Sequence, residues 1–222
     1  MRSTFIVLFL FLGWMSVSRA EEAVSHSHPL TTFYIARTGE QFQAPHVLTY
    51  RLLEFEQMRG RWILPDIGVY DLGHGDFREM FCGAGAMYYH GKVTTLTQEV
   101  YFVQDTGAAA HSARYLWVWP IFDFQFKPRL TAQAVVYPHI PLNSAAKVQY
   151  DVDRAKLEYS LNRRLTLGGG YSSSKSSGSA WQSEPFLSTT VKSREGGFEF
   201  WLQKISGGGQ LQVRYMLVHS ER

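Results

Sequence analysis

Ten charged residues stand where chemistry would be done: Glu99, Asp123, Arg129, Lys147, Asp151, Lys156, Glu158, Arg164, Glu199 and Arg214. They fall on the polar side of segments in which apolar and polar residues alternate. Five are basic and five acidic. Along a shared interior they would form a lining of mixed sign. Opposed rows of such charges create a transverse field that orders water and small polar solutes. Salt bridging among the same ten would instead close the interior and hold its walls together. The residue types admit both arrangements.

Catalytic signals are sparse. His74, His111, Ser112 and His139 all fall between the alternating segments, where one rim has room for all four and a Ser–His pair would suit acyl hydrolysis, though loop histidines are usually just solvated. No Gly-x-Ser-x-Gly elbow supports it. Gly85 to Lys92 has the outline of a phosphate loop, but five residues separate Gly85 from Gly91 where four are needed. Val93 also follows Lys92 where Ser or Thr is required. His26-Ser27-His28 offers at most weak metal ligands in an N-terminal linker. The single cysteine, Cys82, excludes an intrachain disulfide and a cysteine-based metal cluster. The expectation is therefore no catalytic residue, no metal site and no cofactor.

The elements that must position these charges have a period of two, the signature of half-buried strands. Leu116, Val118, Pro120, Phe122, Phe124 and Phe126 form one face, with Trp117, Trp119, Asp123 and Gln125 between them. The same alternation runs through 130–137, 145–161, 164–172, 197–205 and 210–218. Around residue 153 the phase flips, from Val152 to Ala155, Leu157 and Tyr159. A β-bulge in one long strand explains this better than a turn at Asp153-Arg154. Twelve strands result, at 30–37, 46–56, 61–71, 77–90, 92–103, 113–126, 129–137, 145–161, 164–172, 186–193, 197–205 and 210–218. Pro65 and Pro120 lie inside strands and each implies a bulge. Leu52-Leu53 and Glu54 interrupt the second strand. Gly83 and Gly85 are expected to relieve crowding or let a strand bend. The connections alternate between longer ones (38–45, 72–76, 104–112, 138–144, 173–185, 206–209) and tight ones (57–60, 91, 127–128, 162–163, 194–196). The serine-rich stretch 173–185 is expected to be an exposed loop.

Composition narrows the class. Of 222 residues, 45% are hydrophobic, 15% aromatic and only 18% charged, with a net charge of +3. Disorder and nucleic-acid binding are both disfavoured. Residues 1–20 carry Arg2, an apolar run from Phe5 to Met15 and small residues in Ser18-Arg19-Ala20, the pattern of a cleaved signal peptide. Residues 21–29 then form a short linker and 30–222 one β-barrel domain. No later apolar run is long enough for a spanning helix. A soluble barrel, apolar inside and charged outside, is disfavoured because twelve strands leave a lumen too wide to fill with apolar side chains.

With its signal peptide, its two-residue period, its alternating connections and its tyrosines near strand ends (Tyr101, Tyr115, Tyr137, Tyr171), the chain resembles bacterial outer-membrane β-barrel proteins. The resemblance covers most of residues 30–218. Strand count and size look like the small twelve-stranded porins for acidic oligosaccharides. The chain departs from that pattern in ending Val218-His219-Ser220-Glu221-Arg222 rather than on an aromatic residue. The resemblance implies an all-β, antiparallel up-and-down transmembrane barrel in the outer membrane, with lipid around it. It implies a narrow passive pore for small polar or charged solutes, saccharides included. The alternatives are a structural or assembly-partner barrel with a closed lumen and a rim-active lipid hydrolase. Phe124 and Phe200 are expected to face lipid, and Asp123 and Glu199 the lumen.

Overall fold

The computed structural model describes residues 30–41, 47–72, 77–106, 112–205 and 208–220. The expected signal peptide and the linker that follows it lie outside these described residues. Twelve strands form: β1 (Leu30–Gln41), β2 (Val47–Arg59), β3 (Trp62–Leu72), β4 (Phe77–His90), β5 (Thr94–Thr106) and β6 (Arg114–Lys127). They continue as β7 (Leu130–Pro141), β8 (Gln149–Ser160), β9 (Leu165–Ser176), β10 (Gln182–Lys192), β11 (Gly196–Ile205) and β12 (Gly208–Ser220). Each pairs antiparallel with its neighbour in sequence. Pairing of β1 with β12, from Thr31↔Ser220 to Gln41↔Gln210, closes the barrel. Closure leaves no strand edge unpaired.

The alternation expected from sequence is the alternation found. On β5, Val100 and Phe102 point outward while Glu99, Tyr101, Val103 and Asp105 point inward and are buried. On β11, Phe198, Phe200 and Leu202 point outward and Glu199, Trp201 and Gln203 inward. On β8 the register shifts against both neighbours around Asp153, between Val135 and Val136 of β7 and between Val152 and Ala155 of β8. The bulge inserts one residue and resets the pleat, so Asp153 and Arg154 both reach the interior and Lys156 and Glu158 follow.

Two proline expectations separate. Pro65 lies in a bulge, with the β3–β4 register shifting between Ile63 and Asp66. Pro120 does not: the register with β7 is the same on either side of it, from Trp117↔His139 to Ile121↔Val135. Pro120 faces outward and the ladder lapses locally instead of slipping. Strand β2 also alternates more cleanly than its sequence suggests. Leu53 and Phe55 face out, while Leu52 packs on the interior aromatic cluster and Glu54 and Glu56 face in.

Tight connections at 60–61, 91–93, 128–129, 161–164 and 193–195 lie at one end. Among the described residues the other end carries 112–113, 142–148 and 177–181. The expected loop 173–185 is mostly strand. Ser173 and Ser174 pair with Ser183 and Gln182, so only 177–181 connect β9 to β10. Serines alternate across a ladder as readily as they populate a loop, and composition alone misreads them. The 206–207 connection is also shorter than expected, because β11 and β12 extend to Ile205 and Gly208.

Candidate functional site

The inward-pointing pleats of all twelve strands enclose a cavity of about 580 Å³. One wall is cationic. Arg37 on β1 donates through Nη1 to Asp153 Oδ1 at 2.9 Å, and through Nε and Nη2 to Gln212 Oε1 at 3.0 and 2.7 Å. Its guanidinium also lies 4.8 Å from the Trp201 ring centroid. That ring stacks at 4.0 Å on Phe186. Arg154 Nε donates to the other oxygen of Asp153 at 2.7 Å. Strands β1 and β8 stand five places apart around the barrel. The Arg37–Asp153 pair is therefore a strut across the lumen, not a neighbour contact.

Below it, Lys156 Nζ donates to Glu199 Oε1 at 2.6 Å and lies 3.3 Å from Glu158 Oε2. Arg214 Nη1 stands 3.7 Å from Glu199 Oε2. Here the mixed-sign expectation takes its salt-bridged form.

The opposite wall is acidic. Glu54 and Glu56 of β2, Asp66 of β3 and Glu99 of β5 cluster on one side of the cavity. One carboxylate oxygen from each of Glu54, Glu56 and Asp66 lies within 4.8 Å of the other two. The Tyr101 hydroxyl is 2.6 Å from both Asp66 Oδ2 and Glu99 Oε2. Glu79 on β4 and Asp105 on β5 continue this wall toward the longer connections.

An aromatic cluster fills the lumen beside it. Phe81, Tyr101, Trp117 and Tyr137 are buried together, with Trp119 stacked on Tyr137 at 4.0 Å. Gly83 makes room for it. A Cβ there would meet the Tyr101 ring at 2.3 Å. Gly85 does the same for Glu99, so both glycines relieve crowding inside the barrel.

Glu99, Asp123, Asp151, Lys156, Glu158, Glu199 and Arg214 are thus placed on inward pleats, with Asp123 accepting from Gln133 Nε2 at 2.7 Å. Arg129, Lys147 and Arg164 are corrected to the outside. All three are exposed and lie in the 128–129, 142–148 and 161–164 connections. The reason is local. Asn162 Oδ1 accepts from the backbone N–H groups of Arg164 and Leu165, which turns the chain before the ladder begins. Asn143 spans from the Arg114 N–H to the Ser112 carbonyl. That ties the 142–148 segment to the rim, with Lys147 outside any strand.

Of the rim group only Ser112 and His139 fall among the described residues. His74 and His111 lie outside the described residues. Ser112 is exposed, while His139 is buried on β7. Trp117 Nε1 donates to His139 Nδ1 at 3.0 Å, so the ring proton sits on Nε2, 2.6 Å from Asp151 Oδ2. His139 is a lumen residue held by aromatic and carboxylate partners, with no Ser112 contact. Of the tyrosines noted near strand ends, Tyr101, Tyr115 and Tyr137 point inward. Only Tyr171 of that set faces out. Outward aromatics include Trp62, Tyr88, Tyr89, Phe126, Tyr159 and Phe198 near the tight turns, and Tyr150 and Trp181 toward the other end.

Sequence reasoning missed Arg37, Glu54, Glu56, Asp66, Asp153 and Arg154. Glu54 and Glu56 carried a signal, since they alternate with Leu53 and Phe55. Asp66 and Asp153 sit at bulges that no simple period reveals.

No family model matches the chain, and no curated protein matches it. Solved structures do. A KdgM porin superposes with a TM-score of 0.59 at 11% identity, over 86% of this chain and 99% of its own. A NanC porin superposes at 0.58 with 6% identity, over 85% and 100%. The COG4313 outer-membrane channel of Pseudomonas putida F1 gives 0.56 at 11%, over 90% and 98%. At such identities the likeness is one of fold: the chain is a closed, twelve-stranded, antiparallel up-and-down barrel of the kind these small porins share.

Proposed function

We propose that the protein is a narrow passive pore of the bacterial outer membrane, for small polar solutes and preferentially for cationic ones. The observation that carries the reading is the inversion of its faces. Outward pleats bear Leu53, Leu64, Leu187 and Leu202, each more than half exposed, between two belts of aromatic residues. Inward pleats bear the charges. Water outside such a barrel would meet the apolar face; lipid outside it meets the face that lipid prefers, with the charged face left to a wet lumen. Strands of 10 to 14 residues suit the roughly 9–11 that a tilted membrane strand needs. An apolar groove of about 830 Å³ on the outer wall, lined by Tyr34, Phe55, Met80, Phe102 and Leu217, fits lipid chains.

The preference for cations follows from the lining. Carboxylates of Glu54, Glu56, Asp66, Glu79, Glu99 and Asp105 face the cavity on one side, against Arg37, Arg154, Lys156 and Arg214 on the other. Those four cations are largely taken up by Asp153, Glu158 and Glu199. Net negative charge remains to attract cations and repel polyanions. One of the similar porins is described in complex with oligogalacturonate. This lumen is a poor match for so acidic a chain and a better one for neutral or basic solutes.

A second reading, a barrel whose lumen is closed, is favoured by one specific feature. The Arg37–Asp153 strut and the aromatic cluster both obstruct the interior. Bilayer conductance decides between them. The pore reading expects discrete steps and a reversal potential showing cation preference across a KCl gradient. Absence of conductance from refolded barrels would favour the closed lumen. Anion preference would overturn the assignment of the lining.

A further inference from the structure

The acidic wall has a hydrogen-bond balance that does not close. Asp66 is fully buried, at 0% exposure. Its Oδ2 takes the Tyr101 hydroxyl, and its Oδ1 has no hydrogen-bond partner. Glu56 stands directly opposite Asp66 across the β2–β3 ladder, a placement that like charges disfavour. Glu54, two residues on, joins them. Tyr101 has a single hydroxyl proton, yet it contacts both Asp66 and Glu99 at 2.6 Å. Ionised carboxylates only accept. Two carboxylates therefore share one donor, with Glu54 and Glu56 grouped beside Asp66. Arg154 and Arg214 form their direct ion pairs with Asp153 and Glu199 and act on the acidic wall only through space.

The fold goes out of its way to create the grouping. Ile63 points inward, and the bulge through Leu64 and Pro65 resets the pleat so that Asp66 points inward as well, three residues later. Without the bulge Asp66 would face out. Beside it, the β2–β3 register shifts just past Glu56. One bulge on β3, felt by the ladders on both of its sides, thus lies at the three carboxylates.

We propose that Glu54, Glu56 and Asp66 form a divalent-cation site in the lumen wall, one that takes Ca²⁺. Carboxylate oxygens are hard ligands, suited to Ca²⁺, Mg²⁺ or Mn²⁺ rather than to thiophilic metals. Their mutual spacing of up to 4.8 Å fits oxygens placed about 2.3–2.6 Å from a Ca²⁺ ion. Mg²⁺ demands about 2.0–2.1 Å in a strict octahedron. Glu54 and Glu56 line the cavity, so the ion reaches the site from the lumen, and water completes its shell. Asp66 supplies the buried ligand and Tyr101 orients it. The bound ion supplies the positive charge missing from this wall and fastens β2 to β3.

The site does not depend on an open lumen. The test is calorimetric titration of CaCl₂ into the chelator-treated, detergent-refolded barrel, with MgCl₂ run in parallel. We expect one saturable Ca²⁺ equivalent per chain, with weaker Mg²⁺ binding. Glu56→Gln and Asp66→Asn should each weaken it by at least the roughly 10–100-fold that loss of a supporting partner costs at metal sites. Tyr101→Phe should fall in that range, and Glu195→Gln, in an exposed turn, should bind as wild type does. Heat-modifiable migration identifies the variants that fold, and Glu56→Gln serves if Asp66→Asn does not. Absence of saturable Ca²⁺ binding by the folded wild-type barrel overturns the proposal. So does binding that survives Glu56→Gln. Neither result bears on conductance, so this site and the pore reading can fail separately.

Discussion

Phe200 and Glu199 are adjacent in β11, and the structure sends one to each face. Phe200 lies near the middle of its strand, so Phe200→Arg should cost ~2–4 kcal/mol in urea refolding into bilayers. Phe124 also faces out, but it pairs with Thr94, the first residue of β5. It therefore sits close to a membrane surface, where the same substitution costs only ~0–1 kcal/mol. Equal penalties at the two sites would contradict this depth assignment. On the inner face, Glu199→Gln leaves Lys156 and Arg214 without the carboxylate charge they share and should cost about 1.5–3 kcal/mol by the same measurement, the worth of a hydrogen bond to a charged group. Asp123→Asn should fold nearly as well as wild type, because the amide can still pair with Gln133. The facing of Phe198, Glu199 and Phe200 was legible because a strand allows only two directions. The depth of Phe124 was not, because a period of two carries no information about height along the barrel axis.

Strand β8 carries the element on which half of the lumen depends. Deleting Asp153 removes the bulged residue and the acceptor of the Arg37 strut. With the register before it held by β7 and β9, Leu157 and Tyr159 would turn into the lumen and Lys156 and Glu158 toward lipid. We expect the deletion variant to give no folded species by heat-modifiable migration; wild-type urea resistance would show that the bulge is dispensable. Connections are tested by proteolysis. Proteinase K applied to whole cells should cut within 177–181, not after Lys175, which lies in β9 with its ammonium 5.9 Å from the Trp181 ring. Cutting only after lysis would invert the barrel in its membrane. The bulge at Asp153 could be read from sequence because strong apolar alternation on both sides exposed the phase change. The bulge at Pro65 could be suspected only from the proline, and its outcome, Asp66 turned inward, depended on where the register resumed.

At the scale of the whole barrel, the lumen is an asymmetric slot: a cationic wall braced by ion pairs, an acidic wall short of them and an aromatic mass between. Arg37→Ala removes the strut and should increase single-channel conductance while leaving Asp153 to Arg154. It should also strengthen cation preference, since one lumen cation is lost. Lower conductance in this variant would mean that the strut holds the pore open rather than narrowing it. The outer surface makes the opposite statement. Its exposed charges, such as Arg51, Arg59, Arg78, Lys127 and Lys192, stand toward strand ends, leaving the middle belt apolar.

Alternation with a period of two is written residue by residue, so the chain alone determined that it is all-β, with about twelve strands, and that apolar and charged residues take opposite faces. These are local properties of the pleat, and they need no partner strand to be read. What the charges do to one another was decided only by closure of the barrel. Arg37 and Asp153 are 116 residues apart and meet because β1 and β8 face each other across the lumen. Glu56 and Asp66 meet through the register of one hairpin, and Tyr101 reaches Asp66 from two strands away. Strand tilt, register and bulges set those meetings together, and each depends on hydrogen bonds between segments distant in sequence. A one-dimensional pattern therefore names part of the lumen lining, while the closed sheet decides which residues complete it, which are paired and which carboxylates are left facing one another.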